Sequence, residues 1–341
     1  MVSEPKRHHV VSEFYLRHFA NPQGQLTVVR RGKAPYLTST TNVGVVSKFN
    51  TITDHDGNPS LIVEKKFDEI EGKAAPIFRE LQRTDRIPTG EDREWLAMFI
   101  ALAQTRTPHF RRQAELQEEI FGKANLYTHT DASIREALRE MNSREPSEEE
   151  VRLTREDIDR IDEYRIEIPS NRTLKSAFDV ATGGLAPALL WMHWHLMKSD
   201  VRAFICGDHP LAYMREERPE NAHMGIGLAS ADYSFYPVDP HRALVFSQKR
   251  PRTSKPIPAT PQMVAEVNEL MARYCYEWVA YHPQQRDPLH GFTMSAERPL
   301  FHVNNVPVYA DRRGVDDALG ILRGMIGSVK SAHMPMGDSV E

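Results

Sequence analysis

From position 61 onward the apolar residues Leu61, Val63, Phe67, Ile70, Ala74, Ile77, Phe78 and Leu81 recur every three or four positions, the period of one face of an α-helix. A face that regular must be buried against another element, so it commits the chain to a helical layer with a hydrophobic partner. A second helix is expected from about Thr89, with Glu91 and Asp92 in its first turn, through Trp95, Phe99 and Leu102. Pro108 marks its boundary or a kink. A third, long helix is expected from about Asn171 to Met197, where Leu174, Phe178, Leu185, Leu189, Met192 and Leu196 nominate it as the central core helix. On such a helix His193 and His195 point about 200° apart and share no ligand, so a packing role is expected.

The remainder mixes strands with shorter helices. Val11 to Phe19 reads as a short helix with Ser12 near its start. Leu26 to Arg30, Val43 to Val46 and Phe49 to Thr53 read as strands, the last ahead of a turn at Asp54 to Asn58. That turn lacks the further ligands of a calcium loop. Further strands are expected at Val201 to Cys206, Ser234 to Tyr236, Leu244 to Phe246 and Val306 to Tyr309, with helices at Pro261 to Tyr281 and Asp316 to Met325. The expected class is α+β, predominantly helical with a small mixed or antiparallel sheet. Residues 1–330 are read as one domain, in which a partly β region, 1–58, packs on a helical core. Within it, 131–168 is a charged helical insertion, and 331–341 is a flexible tail.

Composition narrows the class without naming a partner. The 341 residues are 40% hydrophobic and 26% charged with a net charge of -4, an ordinary globular balance that leaves room for local phosphate-binding patches. Cys206 and Cys275 are the two cysteines, too few and too far apart for a disulfide framework or a zinc ribbon. No stretch approaches the roughly 20 apolar residues of a membrane span, and no signal sequence opens the chain. A cytoplasmic protein is expected. The Walker-type phosphate loop, the nucleophile elbow, the zinc helix and the dinucleotide fingerprint are all missing.

Four constellations could carry chemistry. His8 and His9 follow a basic pair and precede an amphipathic segment, and imidazole titrates in the physiological range. Glu64 and Glu71 lie two helical turns apart on one face, suited with imidazole to a divalent cation. Arg106, in Gln104-Thr105-Arg106-Thr107-Pro108, ends an apolar helical run and needs a carboxylate or a phosphate as partner. Asp208, in Gly207-Asp208-His209-Pro210, ends a strand and either presents a carboxylate at a sheet rim or satisfies its own turn.

These residues fall in the order of a pattern known from bacterial proteins. The sequence resembles domain of unknown function family 4238: His8, His9, Val11, Tyr15, Leu16 and Phe19 match its opening motif. Glu64, Ile70, Glu71, Ala74 and Ala75 match its Glu-bearing helix, and Gln104, Arg106, Thr107 and Pro108 its Gln-x-Arg-Thr-Pro segment. Gly207, Asp208, His209 and Pro210 match its Ser-Asp-Asn-Pro strand end, and Tyr236, Pro237, Val238 and Pro240 its Phe-Pro-Leu-x-Pro strand. Ser12 replaces a proline of the pattern, where it could serve as a helix cap, and His209 replaces an asparagine. The resemblance implies an address and no activity.

The function expected from the residues is hydrolysis of phosphodiester bonds in nucleic acid at one converged polar site. His8, His9, Glu71 and Asp208 are the candidate catalytic residues, and Tyr15, Gln104, Arg106 and His209 the candidate substrate contacts. Glu64, Glu71 and Asp208 are the candidate ligands of a divalent metal. The partner is nucleic acid or a small anionic ligand. The alternative is a non-catalytic binding protein in which the same residues form a buried hydrogen-bond network that pins the N-terminal segment to the core.

Overall fold

The computed structural model describes residues 7–47, 49, 52–53, 59–60, 62–216, 226–250, 255–299, 301–303 and 306–308. The expected turn at 54–58, closing helix at 316–325 and tail at 331–341 lie outside them.

In chain order the elements open with β1 (Arg7–His9), α1 (Glu13–Arg17), β2 (Gln25–Arg30), β3 (Tyr36–Ser39), β4 (Val45–Ser47), β5 (Ile52–Thr53) and β6 (Pro59–Ser60). Seven α-helices and a π-helical turn dominate the middle of the described chain: α2 (Ile62–Thr84), α3 (Gly90–Thr105), α4 (Pro108–Thr128), α5 (Asp131–Asn142), α6 (Glu148–Asp159), α7 (Ser170–Val180), the π turn at Ala181–Leu185 and α8 (Ala186–Trp191). Then follow β7 (His193–Lys198), β8 (Cys206–Gly207), β9 (Ala212–Met214), β10 (Tyr233–Asp239), β11 (Arg242–Ser247), β12 (Ile257–Pro258), α9 (Pro261–Tyr274), β13 (Trp278–Tyr281), β14 (Phe301–Val303) and β15 (Val306–Val308). The larger sheet runs β12-β7-β11-β10-β9 and the smaller β3-β2-β13-β8. All the pairings are antiparallel except β12 with β7. The protein is α+β, and among the described residues no helix is long and apolar enough to cross a membrane.

Two compact units are present. One contains the chain up to Gln113 together with the segment beginning at Ser170, and holds both sheets; the other contains Ala114–Pro169. In the second unit, α5 and α6 each start with a capping box, Thr130 with Ser133 and Ser147 with Glu150, so their exposed first-turn amides are satisfied locally. Tyr127, Ile134, Val151 and Ile158 form its small core. Its charge is spread over ion pairs such as Arg135–Glu148 at 2.8 Å and Arg155–Asp131 at 3.0 Å.

In the first unit the helical period of α2 is met as expected: Val63, Phe67, Ala74, Ile77, Phe78 and Leu81 are buried. The expected helix over 171–197 is not one helix. It breaks at the π turn, where Gly183 and Gly184 weaken helix propensity, and stops at Trp191, because Met192 is extended (ψ 156°). Met192, Trp194 and Leu196 are buried while His193 and His195 are less so, which is the period of a strand. The spacing of Met192 and Leu196 fits both templates, and pairing with β11 decides between them. His193 and His195 therefore share a face. The central core helix is α3, in which Leu96 to Thr105 are buried apart from Met98.

Two smaller expectations shift for similar reasons. The segment Val201 to Ile205 is not a strand, and β8 begins at Cys206. The helix expected from Pro261 ends at Tyr274, after which Trp278–Tyr281 turns into a strand because β2 and β8 flank it. Arg31 closes that helix end. Its guanidinium donates to the carbonyls of Ala272, Arg273 and Cys275, which the helix end leaves orphaned, and to those of Tyr276 and Ser295 beyond it.

The N-terminal segment folds onto this core. Tyr15, Leu16 and Phe19 are buried in the main cluster, and Phe14 packs edge-on to Phe78 and against Phe99. Ser12 occupies the N-cap position of α1, but its hydroxyl makes no capping bond and is buried without a partner. The cap that the residue type allows is therefore not made.

Candidate functional site

The geometry of the site begins at the break between α3 and α4. Arg106 caps the end of α3, its backbone N–H donating to Leu102. Thr107 then donates from its hydroxyl to the Gln104 carbonyl and accepts from Phe110 N–H, and Pro108 opens α4, where a missing N–H costs nothing. Two residues outside the helices thus place Arg106 among neighbours that no uninterrupted helix would reach.

Arg106 is 4% exposed. Its Nη1 lies 2.7 Å from Glu71 Oε1, and its guanidinium stacks over Phe67, 5.0 Å from the ring centre. Its Nε and Nη2 are buried without a hydrogen-bond partner. Those two donors form one edge of the fork that takes carboxylate or phosphate oxygens in pairs.

His9 and Tyr236 share that neighbourhood. His9 lies on β1 opposite Val45, and His8 opposite Val46. The short pairing is held by Val10 N–H donating 2.7 Å to the Gly44 carbonyl. Gly44 sits at φ 66°, and a Cβ there would meet Val11 Cβ at 2.9 Å, so only glycine allows the approach. Successive strand residues face opposite sides, and the two histidines serve different partners. Burial lowers the His9 pKa; Glu13 and Glu71 oppose the shift and Arg106 adds to it, so the neutral ring prevails at pH 7. His9 Nδ1 is buried without a partner. The Tyr236 hydroxyl, on β10 and 0% exposed, lies beside that of Tyr15, and its own proton has no acceptor. Burial raises its pKa well above 10 against the pull of Arg106, which keeps it a proton donor.

The other expected residues are held elsewhere. His8, 2% exposed, places Nδ1 3.1 Å from Glu64 Oε1, so Glu64 and Glu71 share a helix face but engage different partners. Asp208 is buried, and its carboxylate accepts the backbone N–H groups of Tyr276, Glu277 and Trp278 at 2.7, 2.6 and 3.2 Å. Burial pushes its pKa up to about 7 against those three donors. Tyr15 donates 2.8 Å to the Pro237 carbonyl and is part of the core.

Gln104 and His209 belong to a separate buried group. Gln104 Oε1 accepts from Leu211 N–H, so its amide nitrogen donates to His209 Nε2 at 2.7 Å. His209 then carries its proton on Nδ1 and faces His109 Nδ1 at 3.1 Å.

Among the described residues no three His, Cys, Asp or Glu side chains are grouped to hold a metal ion. Glu64, Glu71 and Asp208 each have another partner, so the expected metal set does not fit the arrangement. Sequence reasoning did not nominate Tyr236 or His109 for the site. His109 stands directly after the Thr-Pro break and was open to notice; Tyr236 carries no local signal beyond a strand pattern.

The model of a family described as "Protein of unknown function (DUF4238)" matches residues 7–285. No curated protein and no solved structure matches the chain. The matched span takes in His8, His9, Glu64, Glu71, Gln104, Arg106, Asp208, His209 and Tyr236, and the chain belongs to the DUF4238 family.

Proposed function

We propose that the His9–Arg106–Tyr236 group binds and hydrolyses a phosphodiester, with nucleic acid as the substrate class. The observation that carries this reading is the unpartnered Nε–Nη2 edge of Arg106, buried in the neighbourhood of an unpartnered His9 nitrogen and of a Tyr236 hydroxyl whose proton has no acceptor. Unsatisfied buried donors cost about 1–3 kcal/mol each, and two non-bridging phosphate oxygens would satisfy both donors of the fork.

In this reading Glu71 fixes the guanidinium and the fork holds the phosphate. Neutral His9 takes the proton of the attacking water as the new O–P bond forms. The ester P–O bond breaks, and the leaving oxygen takes the Tyr236 proton. Glu13, Asp68 and Glu71 lie in the field of His9 or Arg106, so a phosphate would be drawn by the fork alone, against these carboxylates, and not by a broad basic surface. A cytoplasmic location goes with this reading, supported by two buried free thiols, Cys206 and Cys275.

The test is cleavage of bis(4-nitrophenyl) phosphate and of short single-stranded DNA and RNA by the full chain and by Arg106→Gln. Turnover lost in the variant at unchanged fold supports the reading; no turnover by the wild type ends it.

A second reading has its own observation. His8 and Glu64 join the N-terminal strand to α2 through a pair in which the imidazole is almost fully buried, as a purely structural network would. It predicts that His8→Ala lowers stability while phosphodiesters are neither bound nor cleaved.

A further inference from the structure

A cavity of about 320 Å³ lies away from Arg106, between the loop at 199–203, the start of α9 and the loop at 285–290. Its floor is apolar, made by Ala203, Val264 and Pro288, with the exposed Val201 at its edge. Its rim is cationic. Arg202, Arg286 and His290 stand there, with Asp200 the one carboxylate among the lining residues. Arg202 and Arg286 are exposed and have no ion pair or hydrogen bond among the described residues.

The backbone of the third wall is unusual. Asp287 and His290 adopt φ of 38° and 49°, and Gly291 follows at 78°. Non-glycine residues held in this region cost about 1–3 kcal/mol each and cluster where a ligand is gripped. The turn is fixed by His290 N–H donating to the Asp287 carbonyl and Gly291 N–H to the Asp287 side chain, which presents the His290 ring at the rim.

We propose that this cavity is a binding site for an organic phosphomonoester, with Arg202 and Arg286 on the dianionic head and the apolar floor under the body of the ligand. Two guanidiniums against one carboxylate match a dianion better than a single carboxylate ligand. The volume lies within the range of small-molecule pockets, which combine apolar walls with a few placed polar groups. The start of α9 adds little, since Pro261 has no N–H and Thr260 takes the Met263 N–H. The attraction therefore rests on the arginines. No residue is shared with the Arg106 group, so this inference stands apart from the phosphodiester reading.

Calorimetric titration of the full chain with phenyl phosphate tests it, against Arg202→Gln/Arg286→Gln and, separately, Arg106→Gln. Saturable binding is expected to persist in Arg106→Gln, which removes any phosphate held by the Arg106 fork, and to be weakened at least about tenfold in the double variant. Inorganic phosphate is expected to bind about tenfold more weakly, for want of an apolar body. Both arginines are exposed, so the double variant keeps its melting temperature. Absence of binding to the wild type, equal affinity in the double variant, or loss in Arg106→Gln alone would overturn the proposal. Cleavage activity is not the readout, so failure of the phosphodiester reading leaves the result standing.

Discussion

Glu71 holds Arg106 by one edge only: its Oε1 lies 2.7 Å from Nη1, while Nε and Nη2 on the other edge are buried and unpartnered. An arginine satisfied throughout would be a structural cation. Arg31 shows the contrast, with its Nε, Nη1 and Nη2 all donating to carbonyls. The asymmetry at Arg106 is what separates a group able to take an anion from one that only cements the fold.

Arg106→Lys retains the charge and loses the fork. Turnover of bis(4-nitrophenyl) phosphate is expected to fall about 10²–10³-fold, the usual cost of removing an oriented donor from a developing charge. Rates no more than a few-fold below wild type would show that charge alone suffices and that the free edge is irrelevant.

The acid limb of kcat/KM is expected below the ordinary histidine value of 6.5, because burial lowers the His9 pKa. The same shift makes protonation favour the unfolded chain. The stability contribution of His9 is therefore full above pH 6.5 and is lost as pH falls through that value toward the folded pKa. His18, His195 and His282 are lowered by burial too and add to the trend. Urea midpoints measured between pH 7.5 and 5 check it, and a midpoint that rises on acidification contradicts it.

Asp208 secures three backbone amides of the turn into β13. Asp208→Ala leaves buried N–H groups without acceptors and is expected to cost about 2–4 kcal/mol in chemical denaturation. Asp208→Asn sets an amide donor against a backbone donor and also destabilises. Activity per folded molecule stays within a few-fold of wild type in both. A folded Asp208→Asn protein without activity would assign the carboxylate to the chemistry instead.

Asp85 ties the end of α2 to the large sheet. Its carboxylate meets Lys198 and, at 2.7 Å, Arg242, whose Nη1 also reaches Asp239 at 3.1 Å. Its own backbone is at φ 54°, which Asn tolerates. Asp85→Asn thus removes charge without adding strain and is expected to lower stability by about 1 kcal/mol at pH 7. The carboxyl pKa is lowered by both cations against the opposing effect of burial. The difference from wild type is therefore present above pH 3.8 and closes as pH falls through the folded value. A difference that persists at pH 2 would point to packing.

The α+β class, the buried face of α2 and the strand at β2 were legible in the sequence because each rests on a local period. The family was legible from motifs spread along the chain, from His8 to Tyr236. Residues 171–197 misled for a physical reason. Their apolar spacing suits helix and strand alike over the last seven positions, and partnership with β11, far away in sequence, settles it.

The sequence by itself determined which residues are chemically apt: imidazoles, carboxylates on one helix face, a lone arginine after an apolar run, an aspartate at a strand end. Only the tertiary structure decided their company. It gave Glu64 to His8, Glu71 to Arg106, Asp208 to three amides and His209 to Gln104 and His109. It also brought Tyr236 into the Arg106 neighbourhood. Residue type sets what a side chain can donate or accept. Partners across a hundred residues and more of chain are set by how sheets and helices pack, and no local period carries that information.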